Sequence, residues 1–398
     1  MTAFGVFWGI FMLIIMLGSG NGLENGVTDG MGDFATNSAF IWTQSTTMPY
    51  KGLPRGRRFD LTNEDMKAIK ENIPEVALLA PRLEGWGADG NNVIRGTKSG
   101  AFTIHGDYPA INKIDPNVMS QGRFINEIDI QEARKVAVIG NKVYEILFEP
   151  GEDPIGEYIR IKGVYFQVVG VFTPASQAIS FGGDKEKTIF LPFTSLQKAY
   201  NFGDQVHYFS VTAKPGIPAS LVEEEAMALL ARRHKVHPDD KQAFGHFNVE
   251  KQFNQMQGLF MGISSLIWVV GIGTLIAGVI GVSNIMLVII RERTKEIGIQ
   301  RALGAKPIKI INQIITESIV LTSFAGYFGL VAGVVIIELI NKMLQNSGGE
   351  TGMFKNPEVD FQIAVTALLI LVICGALAGM IPAKRAIKIK PIDALRAE

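Results

Sequence analysis

Four stretches of this chain carry no charge for long enough to cross a bilayer, which takes about 20 apolar residues. They are residues 1–23, 252–290, 318–337 and 361–383. A buried helix of a soluble core could imitate one such run, but not four. Residues 24–251 lie between the first and second runs and are long enough to build a core of their own. The expected fold is an α-helical membrane protein with four transmembrane helices and a large mixed α/β extracytoplasmic domain between the first and second. Mean hydropathy of +0.22 averages over these two kinds of segment. Lys plus Arg and Asp plus Glu are both 38, which excludes a grossly basic nucleic-acid binder and an acidic tail protein. The lone cysteine, Cys374, excludes an internal disulfide framework and any cysteine-built metal site.

Loop charge sets the expected orientation, because short basic loops stay in the cytoplasm. Residues 291–312 carry six Lys/Arg and two Glu, and residues 382–398 carry five Lys/Arg and two acids. Residues 338–360 carry two Lys and four acids. The chain therefore reads as a first transmembrane helix (1–23), an extracytoplasmic domain with stalk ends (24–251), and a stalk with the second helix (252–290). A cytoplasmic elbow (291–312), third helix (313–337), extracytoplasmic loop (338–360), fourth helix (361–383) and cytoplasmic tail (384–398) follow. Both termini are placed in the cytoplasm. The first run has no basic lead-in, so the natural gene product is expected to start further upstream.

The second run is too long for the membrane alone. Its 39 residues would extend about 58 Å as a helix, against about 30 Å of hydrocarbon. Gln252, Asn254, Gln255 and Gln257 mark its first part as a stalk outside the lipid, with Val249, Phe253, Met256 and Phe260 as an apolar seam. Gly18, Gly22, Gly26 and Gly30 recur every four residues, as either one bare helix face or a flexible linker. Gly5 and Gly9 have the small-xxx-small spacing that lets helices approach, and are expected at a dimer contact. Gly329 with Gly333 and Gly375 with Gly379 share that spacing, and packing within one subunit suits them better.

In the outer domain, Thr62 with Asp65 resembles a capping box opening a helix to about Asn72. Residues 135–139 read as a buried strand followed by a helix to Phe148. Residues 158–161 and 165–171 flank Lys162-Gly163 as a hairpin. Residues 188–191 and 207–212 are further strands, with a short helix near 195–200 between them, and Pro218 suits the first turn of a helix to about His234. His234, His237, Asp239 and Asp240 read better as a solvated helix end than as a metal site. Gly96-Thr97-Lys98-Ser99 lacks the adjacent Gly-Lys-Ser/Thr of a phosphate loop. No catalytic, cofactor-binding or metal residues are assigned, no cofactor is expected, and no nucleic acid is a partner.

The elbow begins RERTKEIGIQRALGAKPIKI. Thr294 is read as the cap of a short helix to Leu303, with Gly304 at its end and Pro307 opening the next helix. Glu317 stands near the end of the third span, where an acid is a functional candidate by default, with a helix-end role the better reading.

EIGIQRALGAKPIKI followed by QIITES resembles the FtsX-like permease module of ABC transporters. GALAGMIPAKRAIKIKPIDALRAE resembles that module's ending, a proline-broken helix and a basic tail. VAVIGNKVYEILFEPGEDPIGEYIRIKGVYFQVVGVF resembles the periplasmic core domain of MacB-type transporters. The resemblance implies a non-catalytic permease in a bacterial inner membrane. It would work by mechanotransmission, ATP hydrolysis moving the outer domain to export or extract a substrate. It implies docking to the ATPase through Glu296, Ile297, Gly298, Gln300, Arg301, Leu303, Gly304 and Ala305, with Ile297, Ile299 and Leu303 as the apolar side. Implied partners are a cognate ABC ATPase, a second copy or a paralogous permease, the lipid bilayer, and optionally a periplasmic adaptor and outer-membrane channel. MacB-type chains carry the ATPase ahead of the first span; here it is expected on a separate chain. An FtsX-like regulator of a cell-wall hydrolase and a LolC/LolE-like lipoprotein-releasing subunit are the alternatives.

Overall fold

The computed structural model describes residues 2–31, 34–85, 92–175, 184–346 and 354–387. The chain forms two compact units, Asp29–Met256 and a helical unit of Met1–Thr28 with Gln257–Glu398. It opens with α1 (Thr2–Met31), a continuous 30-residue helix. The glycines past residue 17 are thus helical, which rules out the linker reading. A Cβ on Gly18 would stand 2.8 Å from Ile337, and one on Gly22 2.8 Å from Phe354.

The α/β unit begins with β1 (Ser38–Thr43), β2 (Leu61–Thr62), α2 (Asn63–Asn72), β3 (Val76–Glu84), β4 (Val93–Arg95), β5 (Lys98–Gly100) and β6 (Thr103–Asp107). It continues through α3 (Ile111–Ile114), β7 (Asn117–Gly122), α4 (Glu127–Gln131), β8 (Val136–Gly140), α5 (Asn141–Leu147), β9 (Tyr158–Ile161) and β10 (Val164–Pro174). It closes with β11 (Thr188–Pro192), α6 (Phe193–Tyr200), β12 (Gln205–Val206), β13 (Tyr208–Ala213), α7 (Ala219–Arg233) and β14 (Phe244–Asn248). Among the described residues the main sheet runs β14-β1-β13-β3-β6-β11-β8-β10-β9-β4-β5, with β7 beside β10. β8 with β10 and β6 with β11 pair in parallel. The fully buried strands β8, β11 and β13 read as apolar runs because both faces are covered.

Local signals account for much of this. Lys162 and Gly163 both take positive φ, the twist that a two-residue hairpin needs, and join β9 to β10. Pro218 stands one position before α7, as its N-cap rather than in its first turn. Gly96 and Thr97 turn β4 into β5, and Lys98 donates to the Phe148 carbonyl at 2.7 Å. That loop is a hairpin end.

Asp65 does more than cap α2. It accepts from the Thr62 N–H at 2.9 Å, from Arg233 Nε at 2.6 Å and from His234 Nε2 at 2.7 Å. His234 therefore faces Asp65, while His237 packs on the Tyr50 ring at 5.2 Å. Asp240 accepts from Thr47 and Asp239 is exposed. The four side chains diverge. Burial raises the Asp65 carboxyl, but the hydrogen bonds from His234 and Arg233 outweigh it and hold it at about 2. A depressed carboxylate stabilises the fold above its unfolded value and loses that contribution as pH falls toward the folded value. We expect Asp65→Asn to destabilise by about 2 kcal/mol near neutrality, and the gap from wild type to shrink between about pH 4 and pH 2. Unfolding curves across that range check this; a constant gap would refute it.

The helical unit continues with α8 (Val249–Glu292), α9 (Thr294–Ala302), α10 (Pro307–Asn346) and α11 (Phe361–Ala386). α1, α8, α10 and α11 are each long and apolar enough to cross a membrane. α8 is one 44-residue helix that begins within the α/β unit and ends in the helical one. Val6, Ile10, Leu13, Ile14 and Leu17 of α1 are buried at helical spacing. Glycines permit this close packing: a Cβ on Gly329 would stand 2.6 Å from the Phe7 carbonyl oxygen, and one on Gly333 2.7 Å from Ile14. Gly375 and Gly379 similarly meet Thr322 and Ser318, so α10 and α11 pack through small residues. Pro382 does not break α11, which runs one further turn to Ala386. So near the helix end a proline removes only one backbone bond.

Candidate functional site

The elbow is built from the end of α8, all of α9 and the start of α10. One residue, Arg293, separates α8 from α9, with φ −90 and ψ 14. Its N–H still reaches the Ile289 carbonyl at 2.9 Å, and its own carbonyl accepts from Ile297 at 3.0 Å. The break is therefore sharp yet fully bonded. Thr294 does not cap α9 from outside; it is the first helical residue. Its hydroxyl donates to the Ile290 and Arg291 carbonyls at 3.0 and 2.8 Å, satisfying the end of α8 instead.

The other end of α9 closes with a two-bond turn. Gly304 N–H reaches the Arg301 carbonyl at 3.1 Å and Ala305 N–H reaches Gln300 at 3.0 Å. This pair is the Schellman arrangement. It requires Gly304 at φ +93, where a side chain would cost about 1–2 kcal/mol. Pro307 then opens α10, where its missing N–H is not needed.

α9 has two distinct faces. Ile297 and Gly298 are buried, and Ile297 packs with Ile290, Ile310, Ile314, Ala383 and Ala386. Glu296, Ile299, Gln300 and Leu303 are exposed and recur at helical spacing. Ile299 is 45% and Leu303 83% exposed. The apolar side expected from the sequence therefore splits: Ile297 belongs to the bundle, while Ile299 and Leu303 share the open stripe with Glu296 and Gln300. Arg301 is also placed differently from a docking charge. It is half-buried and donates to the Ile387 carbonyl, clipping α9 to the end of α11. Ala305 is half-buried beyond the turn.

Beneath the elbow lies a cavity of about 30 Å³, walled in part by Arg293, Glu296, Gln300, Gln313 and Glu317. That is room for about one water. Arg293 and Glu317 face each other at 3.5 Å. Glu317 therefore faces the α8–α9 junction across a half-exposed ion pair, a partner that its sequence position did not reveal.

Gly5 and Gly9 lie against α8 of the same chain. A Cβ on Gly5 would stand 3.7 Å from Gly278 Cα, and one on Gly9 3.4 Å from the Thr274 carbonyl oxygen. Gly9 is buried in that contact, while Gly5 stays exposed at its edge. The open small-residue face is on α8. Gly273 and Gly281 have nothing within 4 Å, and Ala277 between them is exposed. Asn284, one turn on, is also exposed.

Residues 1–229 match the MacB-like periplasmic core domain, and residues 256–391 match the FtsX-like permease C-terminal family. The pyoverdine export ATP-binding/permease protein PvdT of Pseudomonas syringae pv. tomato is 28% identical over 100% of this chain and 57% of its own length. The macrolide export ATP-binding/permease protein MacB of Bdellovibrio bacteriovorus is 29% identical over 100% of this chain and 59% of its own. The chain thus spans a little over half the length of the curated relatives it matches. The periplasmic region of MacB from Actinobacillus actinomycetemcomitans aligns with a TM-score of 0.45 at 16% identity, covering 58% of this chain and 97% of that one. Two family matches in the right order over nearly the whole chain, on four apolar helices with an α/β unit between the first and second, place it: the chain belongs to the MacB/FtsX-type permeases of ABC transporters.

Proposed function

We propose that these residues form the permease part of an exporter in a bacterial inner membrane, with the α9 elbow on the cytoplasmic side. An ABC ATPase outside these residues docks on α9 and drives it. α8 carries the motion outward, since one unbroken helix runs from the α/β unit to the elbow. The α/β unit then moves a substrate on the far side. The observation that carries this reading is the exposed Glu296–Ile299–Gln300–Leu303 stripe on a helix fastened at both ends. Ile299 and Leu303, left uncovered by the rest of the chain, support a docking face on this fastened helix. The relatives' names, for pyoverdine and macrolide export, favour export over control of a cell-wall hydrolase. A proline at Gln300→Pro should break α9 at a cost of about 3 kcal/mol or more. Co-purification with the ATPase and stimulated turnover should then be lost while the α/β unit stays folded. Wild-type stimulation with a broken α9 would refute the coupling role.

A second copy of the permease is proposed to pack along the Gly273, Ala277, Gly281 and Asn284 face of α8. Small residues allow close approach, and the Asn284 amide can hydrogen-bond across the contact. Ala277→Leu should lower dimer crosslinking in membranes several-fold, more than any change on α11. Equal crosslinking in wild type and Ala277→Leu would place the contact elsewhere.

A further inference from the structure

Beside the elbow, the first turns of α10 line an open groove of about 780 Å³. Along it stand Lys309, Asn312, Gln313 and Thr316, followed by Val320 and Leu321. The spacing puts them on one helix face. The groove thus grades over about 18 Å from a cation, through amides and a hydroxyl, to apolar side chains. The uncharged run of α10 starts at Ser318, so the groove straddles the polar–apolar boundary of that helix.

Among the described residues, Lys309, Asn312, Gln313 and Thr316 have no side-chain hydrogen bond or ion pair. Arg293 and Glu317 complete the lining. Their pair is loose: the atoms are 3.5 Å apart and the side chains 48% and 34% exposed. Glu317 is the one acid in the groove, and Arg293 offsets it. Lys309 therefore leaves a net positive charge at the polar end.

A glycerophospholipid presents the same order: an anionic phosphate, then ester oxygens that accept hydrogen bonds, then acyl chains. We infer that this groove binds one anionic glycerophospholipid, with its phosphate at Lys309 and Arg293, its ester region at Asn312, Gln313 and Thr316, and acyl carbons on Val320 and Leu321. Basic pockets at the cytoplasmic ends of membrane helices suit such headgroups. Arg293 is the single residue between α8 and α9, so a bound phosphate touches the hinge of the elbow itself. The inference rests on α10 crossing the membrane, not on an ATPase being engaged.

The test is lipid retention by the full chain, without ATPase. The protein is reconstituted with equal phosphatidylglycerol and phosphatidylcholine, re-extracted, and its bound lipid counted by native mass spectrometry. Wild type should retain phosphatidylglycerol in preference. Lys309→Glu should reduce that retention about tenfold, the scale of losing a hydrogen bond to a charged group. Thr316→Val should reduce it less. Lys342→Gln, which changes an exposed lysine near the other end of α10, should leave it unchanged. Equal retention of the two lipids, or wild-type retention in Lys309→Glu, would overturn the proposal. So would release of the lipid by inorganic phosphate alone, since the acyl contacts would then contribute nothing. Because no ATPase is present, these outcomes stand apart from those of the Gln300→Pro experiment.

Discussion

Replacing Leu303 with Glu is expected to abolish stimulation of the ABC ATPase while leaving the permease fold intact. The Leu303 side chain is 83% exposed, and its backbone N–H bond to the Ile299 carbonyl does not depend on it. Surface changes of this kind usually move stability by no more than about 0.5 kcal/mol. In the proposed complex the same side chain enters an apolar groove. A carboxylate buried there without a partner costs several kcal/mol, and each 1.4 kcal/mol is about tenfold in affinity. Binding and stimulated turnover should fall by about a hundredfold or more. Ile297→Glu makes the contrast. Ile297 is 8% exposed within the bundle, so that change should unsettle the helical unit itself. Measuring thermal unfolding beside ATPase stimulation separates the two. Wild-type stimulation in Leu303→Glu would show that the exposed stripe is not where the ATPase docks.

Arg82→Ala is expected to be the most damaging single change in the α/β unit. Arg82 Nε lies 2.7 Å from Asp107 Oδ1, and Nη1 donates to the Tyr208 hydroxyl at 2.9 Å. The ion-paired side chains are only 5% and 0% exposed, in the middle of the sheet where β13, β3 and β6 are neighbours. Asp107 Oδ2 already has no hydrogen-bond partner. Removing the guanidinium leaves a buried, uncompensated carboxylate, at a cost of about 3–5 kcal/mol. Burial pushes the Asp107 carboxyl up to about 6 even though Arg82 pulls it down. A raised carboxyl takes up a proton on folding, so its contribution is fully present below about pH 4 and lost as pH rises through about 6. Without Arg82 the carboxyl rises further. The variant should therefore be weakest above pH 7 and recover in part near pH 5. Hydrogen exchange of β3, β6 and β13 at both pH values reads this directly. Pairing Arg82→Met with Asp107→Leu should restore most of the loss, since a buried ion pair is often replaced by apolar residues at little cost. Unchanged protection in Arg82→Ala at high pH would refute the account.

What was legible in the sequence is what acts over short stretches of chain. An uncharged run of about 20 residues is driven into lipid whatever surrounds it, so four spans could be read directly. Lys162-Gly163 makes its own turn, and Gly304 ends its own helix, because φ preference is a property of one or two residues. The elbow was recognisable as a helix, but not which of its faces was free. Ile297 and Ile299 are equally apolar; only the packing of Ile310, Ile314 and Ala383 against one side decided that Ile299 and Leu303 stay open. β1 and β3 are not legible because short apolar runs have no diagnostic period, and β6, Thr-Ile-His-Gly-Asp, has only one large apolar residue. β3 also carries Pro81 opposite Phe209, where a central strand is not expected to hold a proline. The Arg82–Asp107, Asp65–Arg233 and Arg293–Glu317 pairs depend on which elements become neighbours. Gly5 and Gly9 show the same limit. Their spacing allows any close helix, and only the tertiary structure shows that α8 of the same chain lies beside them.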